Sequence, residues 1–268
     1  MAGDVIDLSE LRRKLVRPAG LWRQVEHVPE TGSTNADLAA AARAGAGPGT
    51  VLLTDYQSAG RGRLGRTWAA PPGSSIAMSV LLRPDGVDPA RWSWLPLLTG
   101  LAVADGLSRA AELDVRLKWP NDVLIGDRKV SGILAERVEA SAGPACVVGM
   151  GINTHLGPEE LPVPTATSIA IECSAAGRPT PSRTSTVATV LAAYELLLRR
   201  WEAAPDDSWL VRAYRRRSAT LGRPVRVELG PDGAVEGTAT DIDAAGRLVV
   251  ETSDATRIFG AGDVSHVR

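Results

Sequence analysis

Residues 115–139 read VRLKWPNDVLIGDRKVSGILAERVE, and this stretch decides the fold class. It holds three strand-like runs in succession: VRLKW, DVLIGD and KVSGILAERVE. Only a proline-bearing corner and a Gly126-Asp127-Arg128 turn separate them. The runs are rich in valine, isoleucine and leucine, and no segment of helical length intervenes. Strands and helices elsewhere in the chain do not alternate strictly either. The expected class is therefore α+β with a mixed sheet, not a doubly wound parallel one.

Working outward, ACVVGMGIN at 145–153 reads as a further strand. Upstream, STNADLAAAARA at 33–44 predicts a helix that Ser33 or Thr34 caps and Gly45 ends. VLLTD at 51–55 and SIAMSVLLRP at 75–84 are strands, and 89–111 is a long apolar helical stretch. Downstream lies a connection rich in proline (Pro158, Pro162, Pro164). Val187, Val190, Leu191, Tyr194, Leu197, Leu198 and Trp201 then recur at helical spacing and mark a core-facing stripe. A shorter helix is expected at 208–217. From Leu221 the texture changes to short strands, VRVEL, VEGTATDI, RLVVETS and TRIFG. Turn signals at Pro231-Asp232-Gly233, Ala245-Gly246 and Ser253-Asp254 separate them. This predicts a small antiparallel barrel or sandwich and two domains, 1–218 and 219–268.

The 268 residues carry a formal net charge of −1, so any basic feature is local and the chain as a whole is not built to coat a polyanion. Hydrophobic residues make up 44% and charged residues 23%, the mix of a globular protein with a real core. Cys146 and Cys173 form no CxxC pair and no metal framework, and read as small buried apolar groups in a reducing compartment. The N-terminus lacks a signal-peptide core, and no run approaches a membrane span. A cytoplasmic location without a membrane partner is expected. Of 30 basic residues only Lys14, Lys118 and Lys129 are lysines, so arginine serves wherever a plain charge suffices. Where lysine persists, a compact point charge with rotatable donors is the feature to look for.

Four stretches carry chemistry. Gly60-Arg61-Gly62-Arg63-Leu64-Gly65-Arg66, closed by Trp68, offers close backbone approach and fork-shaped cationic donors for carboxylate or phosphate. Read alone, it also fits a flexible basic surface loop or an RNA-contacting segment. Lys118-Trp119-Pro120-Asn121-Asp122 puts a cation, an amide and a carboxylate on a stiffened corner, suited to phosphate, ribose, metal or water; it also fits an ordinary polar turn. In Arg128-Lys129-Val130-Ser131-Gly132 an ammonium stands at the start of a strand that turns apolar, where its field is less screened. Gly149-Met150-Gly151-Ile152-Asn153 invites a dinucleotide reading that fails, because position 154 is Thr and no helix opens there. No GxxxxGK[ST] loop occurs, and no Ser/His/Asp or Cys/His constellation stands out. His27, His155 and His266 read as incidental.

The order and spacing of Thr31-Gly32-Ser33-Thr34-Asn35, the 60–68 loop, the 118–122 corner, the 128–134 run and the 149–153 run resemble the biotin protein ligase family. The resemblance covers roughly 25–155, and the final segment is similar, at pattern level, to that family's SH3-like C-terminal domain. It implies a mixed-sheet catalytic domain that uses ATP to convert biotin to biotinyl-5'-AMP and passes it to a lysine of a biotin carboxyl carrier domain of acyl-CoA carboxylases. By resemblance, Ser33, Thr34, Asn35 and Gln57 line the polar end of the biotin pocket. Gly60, Arg61, Gly62 and Arg63 belong to the loop that folds over biotin, Trp68 walls its tail, and Gly132 lies beside it. Lys129 stands between the biotin carboxylate and the α-phosphate; Arg63, Arg66 and Lys118 meet phosphates, and Asn153 meets adenine. Asn121 and Asp122 hold nucleotide and Mg²⁺, and Lys129, Arg63 and Asp122 form the catalytic set. A lipoate ligase is the neighbouring alternative, but its Arg-Arg pair before a Ser-Gly-Gly run is missing here. A biotin-responsive DNA-binding regulator is disfavoured, because about thirty residues precede Thr31, too few for a helix-turn-helix module. No nucleic-acid partner is expected, and a homodimer is left open.

Overall fold

A computed structural model describes residues 4–84, 86–230 and 233–267. Pro231 and Asp232, part of one expected turn, lie outside the described residues. The main sheet has seven strands: β1 (Gln24–Thr31), β2 (Thr50–Gln57), β3 (Ser75–Leu82), β4 (Val115–Lys118), β5 (Asp122–Ile125), β6 (Arg128–Ala140) and β7 (Gly143–Asn153). Their order is β1-β2-β3-β7-β6-β5-β4. Only β1 and β2 run parallel, and every other neighbouring pair is antiparallel, so the sheet is mixed. The parallel pair needs a crossover, and α2 (Thr34–Arg43) supplies it.

Helices cover both faces. α2 packs Leu38 and Ala42 against Leu52, Leu81, Val138 and Val147. On the opposite face lie α3 (Leu95–Ala111) and α5 (Arg183–Ala203), with α1 (Leu8–Leu15) resting on α5. α3 and α5 approach closely because residue 106 is glycine: a Cβ there would stand 2.6 Å from the Val190 Cα. The buried Thr99 and Tyr194 hydroxyls meet at 2.6 Å between these helices, which satisfies both inside an apolar layer. The predicted stripe on α5 is buried as expected, with Leu197 partly so. No helix among the described residues is long and apolar enough to cross a membrane.

α4 (Ile169–Ala175) and α6 (Ser208–Arg217) complete the helices, and a five-stranded sheet follows. It comprises β8 (Pro224–Glu228), β9 (Ala234–Ile242), β10 (Leu248–Glu251), β11 (Thr256–Phe259) and β12 (Asp263–His266). All its pairings are antiparallel, in the order β11-β10-β9-β8-β12. Two tryptophans tie it to the first sheet's layer. The Trp94 indole N–H donates to Ala244 O at 3.0 Å, and that of Trp119 donates to Gly246 O at 3.0 Å. The Ala219 N–H also donates to Leu117 O at 2.7 Å. The Lys118–Asp122 corner is thereby clamped between the two sheets, with a cis Trp119-Pro120 peptide at its apex.

Three elements lack a sequence signal. β1 carries mostly polar side chains and Pro29 because it is an edge strand with one neighbour, so it shows no apolar alternation. α4 is only seven residues long, and β12 only four. The stretch 89–111 opens as a 3-10 turn, Pro89–Trp94, before α3 begins.

Candidate active site

The site is built on the sheet face that carries α2, at that helix's N-terminus. The Ser33 hydroxyl caps α2, accepting the Ala36 N–H at 3.5 Å, which leaves Thr34 and Asn35 in the first turn facing the sheet. The Thr34 N–H donates to Gln57 Oε1 at 2.8 Å, and its hydroxyl meets Ser79 Oγ at 2.7 Å. Ser79 in turn donates to Asn35 Oδ1 at 2.6 Å. Asn35 Nδ2 donates to Glu136 Oε2 at 2.6 Å and to Leu134 O at 3.2 Å. A connected polar network thus closes one end of a cavity, with each side-chain orientation set by a neighbour.

Residues 60–68 form a small hairpin over that cavity. Arg61 and Thr67 bridge, Gly60 O accepts the Trp68 N–H at 2.9 Å, and Arg66 O accepts the Gly62 N–H at 2.6 Å. The tip turns through Leu64 and Gly65, both at positive φ (55° and 73°), with Leu64 72% exposed. An apolar side chain held in the left-handed region and in water is a local cost, of the kind found at ligand clamps. From the base of the hairpin, Trp68 lays its indole on the sheet over Gly132 and Gly151, which are direct cross-strand partners on β6 and β7. A Cβ on Gly151 would fall 2.3 Å from Trp68 Cε2, and one on Gly132 would fall 3.1 Å from Cζ3. Two facing glycines therefore cut the recess that the indole fills. The Trp68 indole N–H is buried without an acceptor among the described residues.

Charge gathers at the mouth. Lys129 Nζ lies 2.6 Å from Asp122 Oδ1 and 5.7 Å from the Trp68 ring centroid, a cation held against both a carboxylate and a π face. Its backbone is clamped: its N–H donates to Thr165 O at 2.7 Å, and its carbonyl accepts the Thr167 N–H at 2.8 Å. Arg63 Nη1 donates to Asn121 Oδ1 at 3.1 Å and to Gly262 O at 3.2 Å. Burial pushes the Arg63 guanidinium down from its usual value, against the pull of Asp263 and Asp122. Arg66 pairs with Asp263, whose hydrogen bond raises the Arg66 value. Arg61 reaches Glu136 at 3.3 Å.

Of the residues singled out from sequence, Ser33, Thr34, Asn35, Gln57, Arg61, Gly62, Arg63, Arg66, Trp68, Asn121, Asp122, Lys129 and Gly132 all line this one cavity. Gly60 sits at the base of the hairpin. Lys118 stands 4.0 Å from Asp122 Oδ2, in an adjoining cleft with Arg223 and His266. Burial pushes the His266 imidazole down to about 4, with Lys118 and Arg223 adding to the effect, so it adds no charge to that cleft at neutral pH. Asn153 is not brought to the cavity wall: it is 5% exposed, and its Nδ2 donates to Thr167 O at 3.0 Å. Ser79, Glu136 and Asp263 went unpredicted. Glu136 had a weak signal as a charge in an apolar strand run, whereas Ser79 and Asp263 had none.

A recess with a polar end, an apolar wall and a cationic mouth suits a slender ligand that ends in an anion and meets a second anion there. Fold and site together define a cofactor-ligase class, and the comparisons place the chain within it. It belongs to the biotin/lipoate A/B protein ligase family, whose model matches residues 32–153, and the biotin protein ligase C terminal domain matches residues 220–267. A biotin--[acetyl-CoA-carboxylase] ligase of Mycobacterium tuberculosis is 41% identical over 98% of this chain and 96% of its own length. A protein of the same name from Paracoccus denitrificans is 33% identical over 87% of this chain and 97% of its own. Among solved structures, the biotin protein ligase from Aquifex aeolicus in complex with biotin and ATP superposes with a TM-score of 0.77 at 27% identity. That match covers 92% of this chain and 100% of the other. The α+β class with a separate all-β C-terminal sheet stands as expected from sequence.

Proposed function

We propose that this chain is a biotin protein ligase: it joins biotin to ATP as biotinyl-5'-AMP, releases pyrophosphate, and transfers biotin to a lysine of a biotin carboxyl carrier domain. One observation carries the reading: Lys129 stands between the Trp68-walled recess and Asp122, with Arg63 and Arg66 alongside. That is where a carboxylate lying along the indole and the α-phosphate of a nucleotide would meet. The names of the full-length relatives and the biotin and ATP complex of the structural neighbour support biotin over lipoate, and so does the match to a biotin-type C-terminal domain.

The chemistry needs little beyond position and charge. In the first step a carboxylate oxygen of biotin attacks the α-phosphorus, the bond to the β-phosphate breaks, and pyrophosphate leaves with the electron pair. The carboxylate is already ionised at neutral pH, so no general base is required. Two anions must instead be brought together, and Lys129, Arg63 and Arg66 at the mouth offset their repulsion. The Thr34–Gln57–Ser79–Asn35 network orients the head of biotin, and the hairpin covers a mixed anhydride that water would hydrolyse. In the second step a carrier lysine amine attacks the acyl carbon, AMP leaves, and the amine's proton passes to solvent or phosphate.

Asn121 and Asp122 would hold Mg²⁺. Among the described residues no group of three or more His, Cys, Asp or Glu could cage a metal. One carboxylate with an adjacent amide suits an ion that arrives on the phosphates and keeps its waters. Bound, it would neutralise phosphate charge. Lys118 would extend the phosphate site, and Asn153 would meet the adenine only once the 165–168 segment that buries it moved aside. We place the domain boundary at 218/219, after α6, and the enzyme in the cytoplasm with its ATP and carboxylase substrates. The test is transfer: incubated with Mg-ATP, biotin and a carrier domain, the protein should biotinylate the carrier's target lysine. Absence of label with a carrier that another biotin ligase modifies would refute the reading.

A further inference from the structure

The C-terminal sheet reaches into the site through two residues. Asp263, the first residue of β12, forms an ion pair with Arg66, and the carbonyl of Gly262 accepts from Arg63 at 3.2 Å. These acceptors are fixed. Asp263 pairs in register with Glu228 on β8, and Gly262, at φ 144°, packs so tightly that a Cβ would lie 2.8 Å from Val227 Cγ1. Their partners hang on the hairpin, with its exposed Leu64 and left-handed tip. Where the two meet, the loop is therefore the element free to move. The same two guanidiniums are the ones the proposed reaction needs for phosphate, and a carboxylate and a carbonyl already engage them.

We infer that Asp263 is a positioning residue that acts as a phosphate surrogate, holding Arg66 and the hairpin against the C-terminal sheet until the ATP phosphates displace it. This rests on the reading of the cavity as a biotin and ATP site. It assigns the C-terminal domain a definite part: it keeps the hairpin near closure without ligand and competes electrostatically with ATP for the arginines. Arg66 is 64% exposed in this pair, so the competition is screened and its expected size modest.

The experiment is calorimetric binding of inorganic tripolyphosphate to the full chain, alone and as Asp263→Asn, Arg66→Ala and the double variant. Asp263→Asn should bind roughly threefold tighter than the parent, and the gain should vanish in the Arg66→Ala background. In biotin-dependent pyrophosphate–ATP exchange, the KM for ATP should fall by the same factor while the KM for biotin stays. Unchanged or weaker binding by Asp263→Asn, or a gain that persists without Arg66, overturns the inference. Tighter tripolyphosphate binding in a protein that shows no exchange with biotin would keep the surrogate and refute the ligase reading. Normal exchange with an unmoved KM for ATP would do the reverse. Asp263→Ser run in the same assay decides the matter if the Asn variant melts early.

Discussion

Lys129→Ala is expected to abolish biotin adenylation while leaving biotin binding largely in place. The ammonium faces Asp122 at 2.6 Å and the Trp68 ring at 5.7 Å, on a backbone clamped by Thr165 and Thr167. It is thus a fixed charge at the point where the negative charges of carboxylate and α-phosphate accumulate. Losing one preorganised donor of this kind costs about 100- to 1,000-fold in rate. Biotin affinity should fall far less, because the polar end and the Trp68 wall keep their contacts. Lys129→Arg should not restore the rate: a planar fork cannot take the place of a compact ammonium in this recess. Biotin-dependent pyrophosphate release measures the effect, with a melting curve to show that Asp122 is still tolerated beside Lys118. Release within about tenfold of the parent would remove Lys129 from the catalytic set, since roughly 1.4 kcal/mol is too little for a central charge.

Gly151→Val should break the biotin recess from beneath. The new Cβ would stand 2.3 Å from Trp68 Cε2, far inside van der Waals contact. Strand β7 cannot yield, since it is hydrogen-bonded to β3 on one side and β6 on the other. The indole must leave instead, and with it goes the apolar wall. Biotin affinity should drop by about 100-fold, equivalent to roughly 2.7 kcal/mol, a loss within the range for removing a large aromatic contact. Trp68→Ala should cost a similar amount, and the two changes together little more than either, because both remove the same surface. Titration of biotin against the four proteins checks this. Additive losses would mean that Gly151 serves something other than the indole.

How much of this was legible in the sequence differs by element. The run from Val115 to Asn153 showed its strands because their apolar side chains are buried, alternating in β4 and in unbroken runs in β5 and β7. β1 was silent for the opposite reason: an edge strand with one neighbour carries no such pattern. The residues of the 60–68 hairpin and the 118–134 corner were legible because local backbone geometry and chemistry coincide in one short segment. Partners recruited by tertiary packing were not. Ser79 reaches Asn35 across 44 positions, Glu136 reaches it across 101, and Asp263 reaches Arg66 across 197. Asn153 shows the converse: its strand position was right, yet the side chain faces Thr167 and not the cavity, because the end of β7 is buried beneath the 165–168 segment.

The central claim is that the cavity activates biotin. Pyrophosphate release with Mg-ATP and either biotin or lipoate, without any acceptor, tests it most directly. Release with biotin that stops near one equivalent of enzyme is the predicted result, because the hairpin retains the adenylate. Release with lipoate alone, or with neither acid, would contradict it.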